Sequence, residues 1–211
     1  MSAVIFGAGS YGKVYLHYLR DSGVNVVGFL DHNEAMHGTR VLGLSVLGGS
    51  EALQSVKDSG VVNLYCSIGN NAVRSRVNRL ARELGLVTPN FVHRTAVLDS
   101  LLTPNLGIYI LPCSVIMPFV DVHSDVMIST GVKVPHHSTL KEGVFLSAGV
   151  TVGANMCICE RAYVGSGATL VTGKCMTVGT GAIIGAGAVV ISDVPENAVF
   201  AGVPAKMIKK T

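Results

Sequence analysis

Two histidines stand side by side in VPHHSTL, residues 134–140. An imidazole exchanges its proton near neutral pH, so one ring can act as general base toward an attacking amine or hydroxyl. Attack on a thioester then needs neither a metal nor a covalent enzyme intermediate. It needs the nucleophile oriented and the developing oxyanion held by a fixed donor. His136 and His137 are the candidates for this work, and two solvated turn histidines are the plain alternative. No metal is expected within one chain. The residues eighteen places away are Pro118 and Ala154 for His136, and Phe119 and Asn155 for His137; none is a His, Cys or carboxylate. A neighbouring chain could bring His123 to the pair.

The second chemical signal is GAGSYG, where Gly7, Gly9 and Gly12 give G-x-G-x-x-G between a strand pattern and a helix pattern. Such glycines let the backbone approach a phosphate, and a helix N-terminus supplies N–H donors and the positive end of a dipole. Asp31 ends the next strand, nineteen residues after Gly12, where it can accept a hydrogen bond from ribose or base. A tight packing turn would use the same glycines. In SIGNN (67–71), Asn70 and Asn71 are expected to cap the following helix, and Gly69 to allow close ligand approach.

Two kinds of element must position these groups. Residues 1–91 alternate strand and helix: strands at 2–6, 24–31, 61–69 and 86–92, helices at 11–22, 50–60 and 70–85. This implies a parallel sheet covered by helices. A full dinucleotide fold needs two mononucleotide halves, and there is room for about one. The expected ligand therefore carries one nucleoside and a diphosphate, as a nucleotide-activated sugar does.

From residue 92 the rhythm changes. Aliphatic residues recur every six places in eleven unbroken hits from Ile110 to Leu170, then resume at Val178, Ile184 and Val190. Val92 and Leu98 share the phase. Four places after most hits the residue is small or β-branched, as at Ser114, Ser138, Ala162 and Ala188. Neither a helix nor an ordinary sheet has period six; a triangular coil of three short strands and eighteen residues per turn does. Residues 92–211 are thus read as a hexapeptide β-helix, with VPENAVFAGVPAKMIKK (194–210) capping its end.

Composition narrows the classes. Charged residues make up 14% and apolar residues 49%, so an isolated chain would expose much uncharged surface, and a homo-oligomer is expected. Net charge is +3 with no basic block beyond KMIKK, which argues against nucleic acid. No apolar run is long enough for a membrane span, and the strand pattern from Ser2 leaves no room for a signal peptide. The five cysteines form no C-x-x-C and no closed disulfide set, which fits reduced thiols in the cytoplasm. Cys157 and Cys159 flank Ile158 and should share the outer side of a strand.

GAGSYGK, SIGNNAVR, the hexapeptide rod and GAIIGAGAVVISDVPENAVFAGVPAK (181–206) together resemble the acetyl-CoA-dependent nucleotide-sugar acyltransferases. These are the bacillosamine- and perosamine-type N-acetyltransferases and the sialic acid O-acetyltransferases. The resemblance implies an α/β half-Rossmann domain followed by a left-handed parallel β-helix, a homotrimer, and coenzyme A between adjacent rods. It implies acetyl transfer from acetyl-CoA to the amino group of a nucleotide-linked deoxyamino sugar. O-acetylation of a sialic-acid-like sugar, a metal-dependent hydratase and a non-catalytic nucleotide-sugar binder are the alternatives. The family's motif around its base runs I-N-T-x-x-x-V-x-H-[DE]; here ISTGVKVPHH (128–137) places the base at His136 and His137 where the acid stands. Ser129 replaces the usual Asn, Phe145 a histidine near the coenzyme, and Tyr11 a histidine of the glycine loop. Sugar-nucleotide contacts map to Gly9, Ser10, Tyr11, Asp31, His32 and Gly69. Coenzyme contacts map to Phe145, Ala154, Ser166 and Ala186. Lys206 either meets the coenzyme's phosphates or is a solvated terminal lysine.

Overall fold

A computed structural model describes residues 2–99, 101–104 and 106–210, so the outer domain limits at residues 1 and 211 fall outside the described residues. The chain divides into two compact units, Met1–Pro89 and Asn90–Thr211.

In the first unit, strands β1 (Ser2–Phe6) and β2 (Asn25–Leu30) flank helix α1 (Ser10–Asp21). A hairpin, β3 (Arg40–Val41) and β4 (Leu44–Ser45), precedes helix α2 (Leu53–Asp58), strand β5 (Asn63–Cys66) and helix α3 (Asn71–Glu83). The sheet is parallel with order β2-β1-β5. Ala3, Val4, Ile5 and Phe6 are all fully buried although alternate residues of β1 point to opposite faces, so both faces are covered. The hydrophobic run SAVIF is therefore a central strand.

Two sequence expectations need correction here. Residues 86–92 form no fourth strand of this sheet. Val87 makes a single parallel bridge to Asn63, while Phe91–Val92 pairs with Tyr109–Ile110 in the other unit's fold. Pro89 lies between them, and without an N–H it cannot continue a ladder. Residues 32–49, which carried no expected element, contain the β3–β4 hairpin. Its turn uses two positive φ angles, 49° at Leu42 and 84° at Gly43, as tight hairpins require.

The second unit is a parallel β-solenoid. Two-residue strands stack in register eighteen residues apart: Tyr109–Ile110, Met127–Ile128 and Phe145–Leu146 on one face, Val115–Ile116 and Lys133–Val134 on the next, Asp121–Val122 and Thr139–Leu140 on the third. The second residue of each pair points inward. Ile110, Ile128, Leu140, Leu146, Ile158 and Val164 have no exposed surface, and the small residues four places later, such as Ser114, Ala162 and Ala168, share that core. Val92 keeps the phase but is 37% exposed, because it lies on the first rung with no rod coil beneath it. After Ile183–Ile184 the stack continues into Ala198–Gly202, which pairs antiparallel with Ala205–Lys210. Ala198–Gly202 pairs with the last rung, and Ala205–Lys210 adds to it as the outer strand of the hairpin.

The corners explain much of the glycine content. Three places after an inward aliphatic the chain turns with a positive φ, as at Gly131 (71°). A side chain there costs about 1–2 kcal/mol, yet Cys113, Phe119, Asp125, His137, Asn155 and Arg161 all occupy this position.

Candidate active site

In the first unit the three loop glycines do different things. A methyl group on Gly12 would lie 1.9 Å from the Gly7 carbonyl oxygen, and one on Gly7 would lie 2.5 Å from Ser67 Oγ. Both are packing glycines. A methyl group on Gly9 would meet nothing within 4 Å, and Gly9 opens α1 with no side-chain cap and no acid in the first turn. The N-terminus of α1 is thus open and carries the positive end of its dipole. Ser10 and Tyr11 are exposed beside it.

Asp31 is bound into the protein itself. Its Oδ2 accepts the Ala8 N–H at 2.7 Å and its Oδ1 the Asn33 N–H at 2.9 Å. The carboxylate ties the glycine loop to the end of β2 and retains acceptor capacity on each oxygen. Neighbouring His32 is exposed, its ring edge-on to Phe6 at 4.8 Å. A cleft of about 440 Å³ opens here, lined by His32, Glu34, His37, Gly49 and Glu51. His37 Nε2 lies 2.7 Å from the Asp31 carbonyl. Glu51 accepts the Gly49 N–H at 2.6 Å, and this bond holds its carboxyl below the ordinary value. Sequence reasoning missed Glu34, His37 and Glu51, since nothing in their spacing marks them.

Gly69 is exposed in the loop after β5. Asn70 caps α3 as expected, its side chain accepting the Val73 N–H at 3.1 Å. Arg74, fully buried, fastens the loop: its guanidinium donates to the Ile68 carbonyl and to Asn71 Oδ1, both at 3.0 Å.

In the second unit His136 and His137 sit at a corner. His136 is half-buried and His137 exposed, with φ of 59°. In an extended chain neighbouring side chains diverge; the left-handed turn brings these two together, with Nδ1 3.0 Å from Nδ1. The stacking read from the sequence is present: Phe119, eighteen residues earlier and also at positive φ, lies 4.9 Å from the His137 ring.

The mapped coenzyme positions fall at two corners, on one face and on the terminal hairpin. Ala154 lies one coil beyond His136, at the same corner; the Asn155 N–H donates to the His136 carbonyl. Ser166 and Ala186 are exposed on a different corner, where the Gly187 N–H donates to the Ser166 carbonyl. Ser166 Oγ is 2.7 Å from Ser147 Oγ. Phe145 is buried on the face between corners, its ring edge-on to Tyr163 at 5.4 Å. Lys206 is exposed on the terminal hairpin, opposite Ala201.

Among the described residues no group of three His, Cys, Asp or Glu side chains could hold a metal ion, and no helix is long and apolar enough to cross a membrane. Cys157 and Cys159 do share one side, with sulfurs 3.9 Å apart. Burial, with Cys157 beside it, pushes the Cys159 thiol up to about 11.

A parallel α/β unit with an open glycine loop, in one chain with a hexapeptide solenoid that carries a corner histidine pair, is the architecture of the hexapeptide-repeat acyltransferases. Residues 2–80 match the family described as PglD N-terminal domain. Among solved structures, PerB from Caulobacter crescentus, in complex with CoA and GDP-perosamine, is 32% identical, covers 99% of this chain and 98% of its own, and superposes with a TM-score of 0.81. The acetyltransferase domain of PglB from Neisseria gonorrhoeae, in complex with acetyl coenzyme A, is 25% identical over 98% of both chains, with a TM-score of 0.68. Galactoside O-acetyltransferase of Escherichia coli is 36% identical over 75 residues, which are 36% of this chain and 33% of that protein. The chain spans about a third of the length of the curated relatives it matches. It belongs to the hexapeptide-repeat sugar acetyltransferase family, whose members use acetyl-CoA.

Proposed function

We propose that this protein transfers the acetyl group of acetyl-CoA to the amino group of a nucleotide-linked deoxyamino sugar. One observation carries the reading: the likeness to PerB runs through both units, and PerB holds CoA and a nucleotide-linked amino sugar together. The first unit then binds the sugar nucleotide. Its diphosphate lies against Gly9, Ser10 and Tyr11 at the start of α1, with Asp31, His32 and Gly69 bordering the remainder. The rod binds the coenzyme through Phe145, Ala154, Ser166 and Ala186, with Lys206 near its phosphates. Because Ala154 lies on one corner and Ser166 and Ala186 on another, a coenzyme lying between two rods would meet one corner of each, which supports a homotrimer. The cytoplasm, where acetyl-CoA is available, is its compartment.

His136 is the general base. The sugar amine attacks the thioester carbonyl carbon while its proton passes to His136 Nε2. The tetrahedral intermediate collapses with loss of the C–S bond, and the thiolate leaves, taking the proton back as free coenzyme A. Replacing His136 with Ala should lower kcat by about 10²–10⁴-fold in a thiol-release assay with amino-sugar nucleotides, without changing the fold. Near-wild-type turnover by a correctly folded variant would remove His136 from the mechanism.

O-acetylation of a sugar hydroxyl is the second reading, favoured by the match to galactoside O-acetyltransferase. A panel of amino and hydroxy acceptors under the same assay separates the two.

A further inference from the structure

Two ring nitrogens 3.0 Å apart cannot both present lone pairs, and they cannot both carry protons unless one ring turns away. One proton therefore lies between His136 and His137, and its owner decides what His136 can do. If His137 owned it, His136 Nδ1 would accept; a neutral His136 would then carry its proton on Nε2 and have no lone pair to offer there. If His136 owns it, Nε2 is free.

The surroundings favour the second arrangement. A histidine side chain in water prefers the tautomer protonated on Nε2, so the more solvated ring should keep that form and present Nδ1 as acceptor. His137 is the exposed ring and His136 the half-buried one. His137 is also fixed in place: its backbone turns at φ 59°, and Phe119 packs on the ring at 4.9 Å. Phe119 is itself 75% exposed and held at φ 64°, so an aromatic residue occupies an unfavourable corner in ring contact with His137.

We infer that His137, held by Phe119, is a positioning residue that accepts the Nδ1 proton of His136 and so keeps the Nε2 lone pair directed at the acceptor. A neutral imidazole thereby fills the orienting role usual for a carboxylate beside a catalytic histidine, without adding negative charge. This rests on His136 being the base.

Position 137 allows a test in which folding is not at stake, because both Gly and Asn tolerate a left-handed turn. His137→Gly removes the acceptor. His137→Asn replaces it, since Asn Oδ1 stands where His Nδ1 stood. Nitrogen-15 NMR of the wild-type chain should show His136 protonated at Nδ1 and unprotonated at Nε2. In His137→Gly the signals should shift toward the Nε2-protonated form, and kcat should fall roughly tenfold or more with KM unchanged. His137→Asn should restore the wild-type tautomer and most of kcat. A wild-type His136 protonated on Nε2 overturns the inference whatever the turnover. So does a His137→Gly chain with wild-type kcat when His136→Ala is inactive. Failure of the base assignment is separately visible, as retained turnover in His136→Ala, and leaves the tautomer measurement standing.

Discussion

The glycine loop offers a prediction in which helix propensity and packing have opposite signs. Gly12 lies inside α1, and replacing a helical Gly with Ala ordinarily stabilises by about 1 kcal/mol. Here the new methyl would lie 1.9 Å from the Gly7 carbonyl oxygen and 2.9 Å from its carbon. Relief requires about 1 Å of backbone movement in a loop tied down by Asp31, and overpacking of this kind costs roughly 1–3 kcal/mol or more. With fixed backbone on both sides we take the upper end and subtract the propensity gain, leaving about 2 kcal/mol of destabilisation. For a unit of this size that lowers the melting midpoint by about 8–16 °C. Gly9→Ser is the counterpart. Its site is open, and Ser is a better N-cap than Gly by a few tenths of a kcal/mol, so the midpoint should hold or rise slightly. The added hydroxymethyl group would stand at the proposed phosphate site, and on that proposal it weakens nucleotide-sugar binding about tenfold or more, or about 1.4 kcal/mol. All three described α-helices belong to the first unit, so ellipticity at the helical band follows its melting, and titration calorimetry gives the affinity. A Gly12→Ala midpoint above wild type would refute the packing geometry. Unchanged binding by folded Gly9→Ser would refute the phosphate site.

Leu140 is fully buried in the rod between Val122 and Ile158, and Leu140→Ala should cost about 2–5 kcal/mol in chemical denaturation, while the helical signal of the first unit keeps its own midpoint. Cysteine reactivity should follow exposure and thiol acidity: iodoacetamide at neutral pH should label exposed Cys113 first. Cys159 and Cys175 should lag, because burial raises both thiols to about 11, and the lag should shrink as the pH rises toward that value; mass spectrometry of timed digests reads the order.

The rod was legible because its inward positions are set by one repeated physical demand. Each coil must fill a narrow triangular interior with an aliphatic and a small residue per side, and every mapped inward aliphatic from Ile110 to Val190 is buried. The first unit was legible where the chain alternates buried strand and amphipathic helix, and it failed at two places of a different character. Pro89 interrupts an apolar run that otherwise reads as a strand. The β3–β4 hairpin turns on Leu42, which takes a positive φ without the Asn or Gly that would announce it at that position. The candidate site was legible as residue types and not as geometry. The sequence marks Asp31 as an acid at a strand end, but its two backbone bonds to Ala8 and Asn33 arise only when the glycine loop folds back beside β2.

The corners of the solenoid show why its chemistry escapes periodicity. An inward position rejects anything but a small or aliphatic side chain, so it cannot hold a base. A face position can hold a base, but each outward side chain there alternates in direction with its neighbours, so adjacent residues cannot support one another. The corner alone reverses the backbone within one residue. That reversal lets His136 and His137, consecutive in sequence, face each other at 3.0 Å, and it stacks His137 on a residue eighteen places earlier. Glycine would make the same turn at lower cost, so a side chain retained at such a corner needs a compensating contact. Phe119 and His137 supply one to each other. Replacing both by glycine should therefore relieve backbone strain while removing the support of His136. A rod that is at least as stable but slower in catalysis is the expected combination, and a loss of stability would show that the stacked pair belongs to the fold rather than to the site.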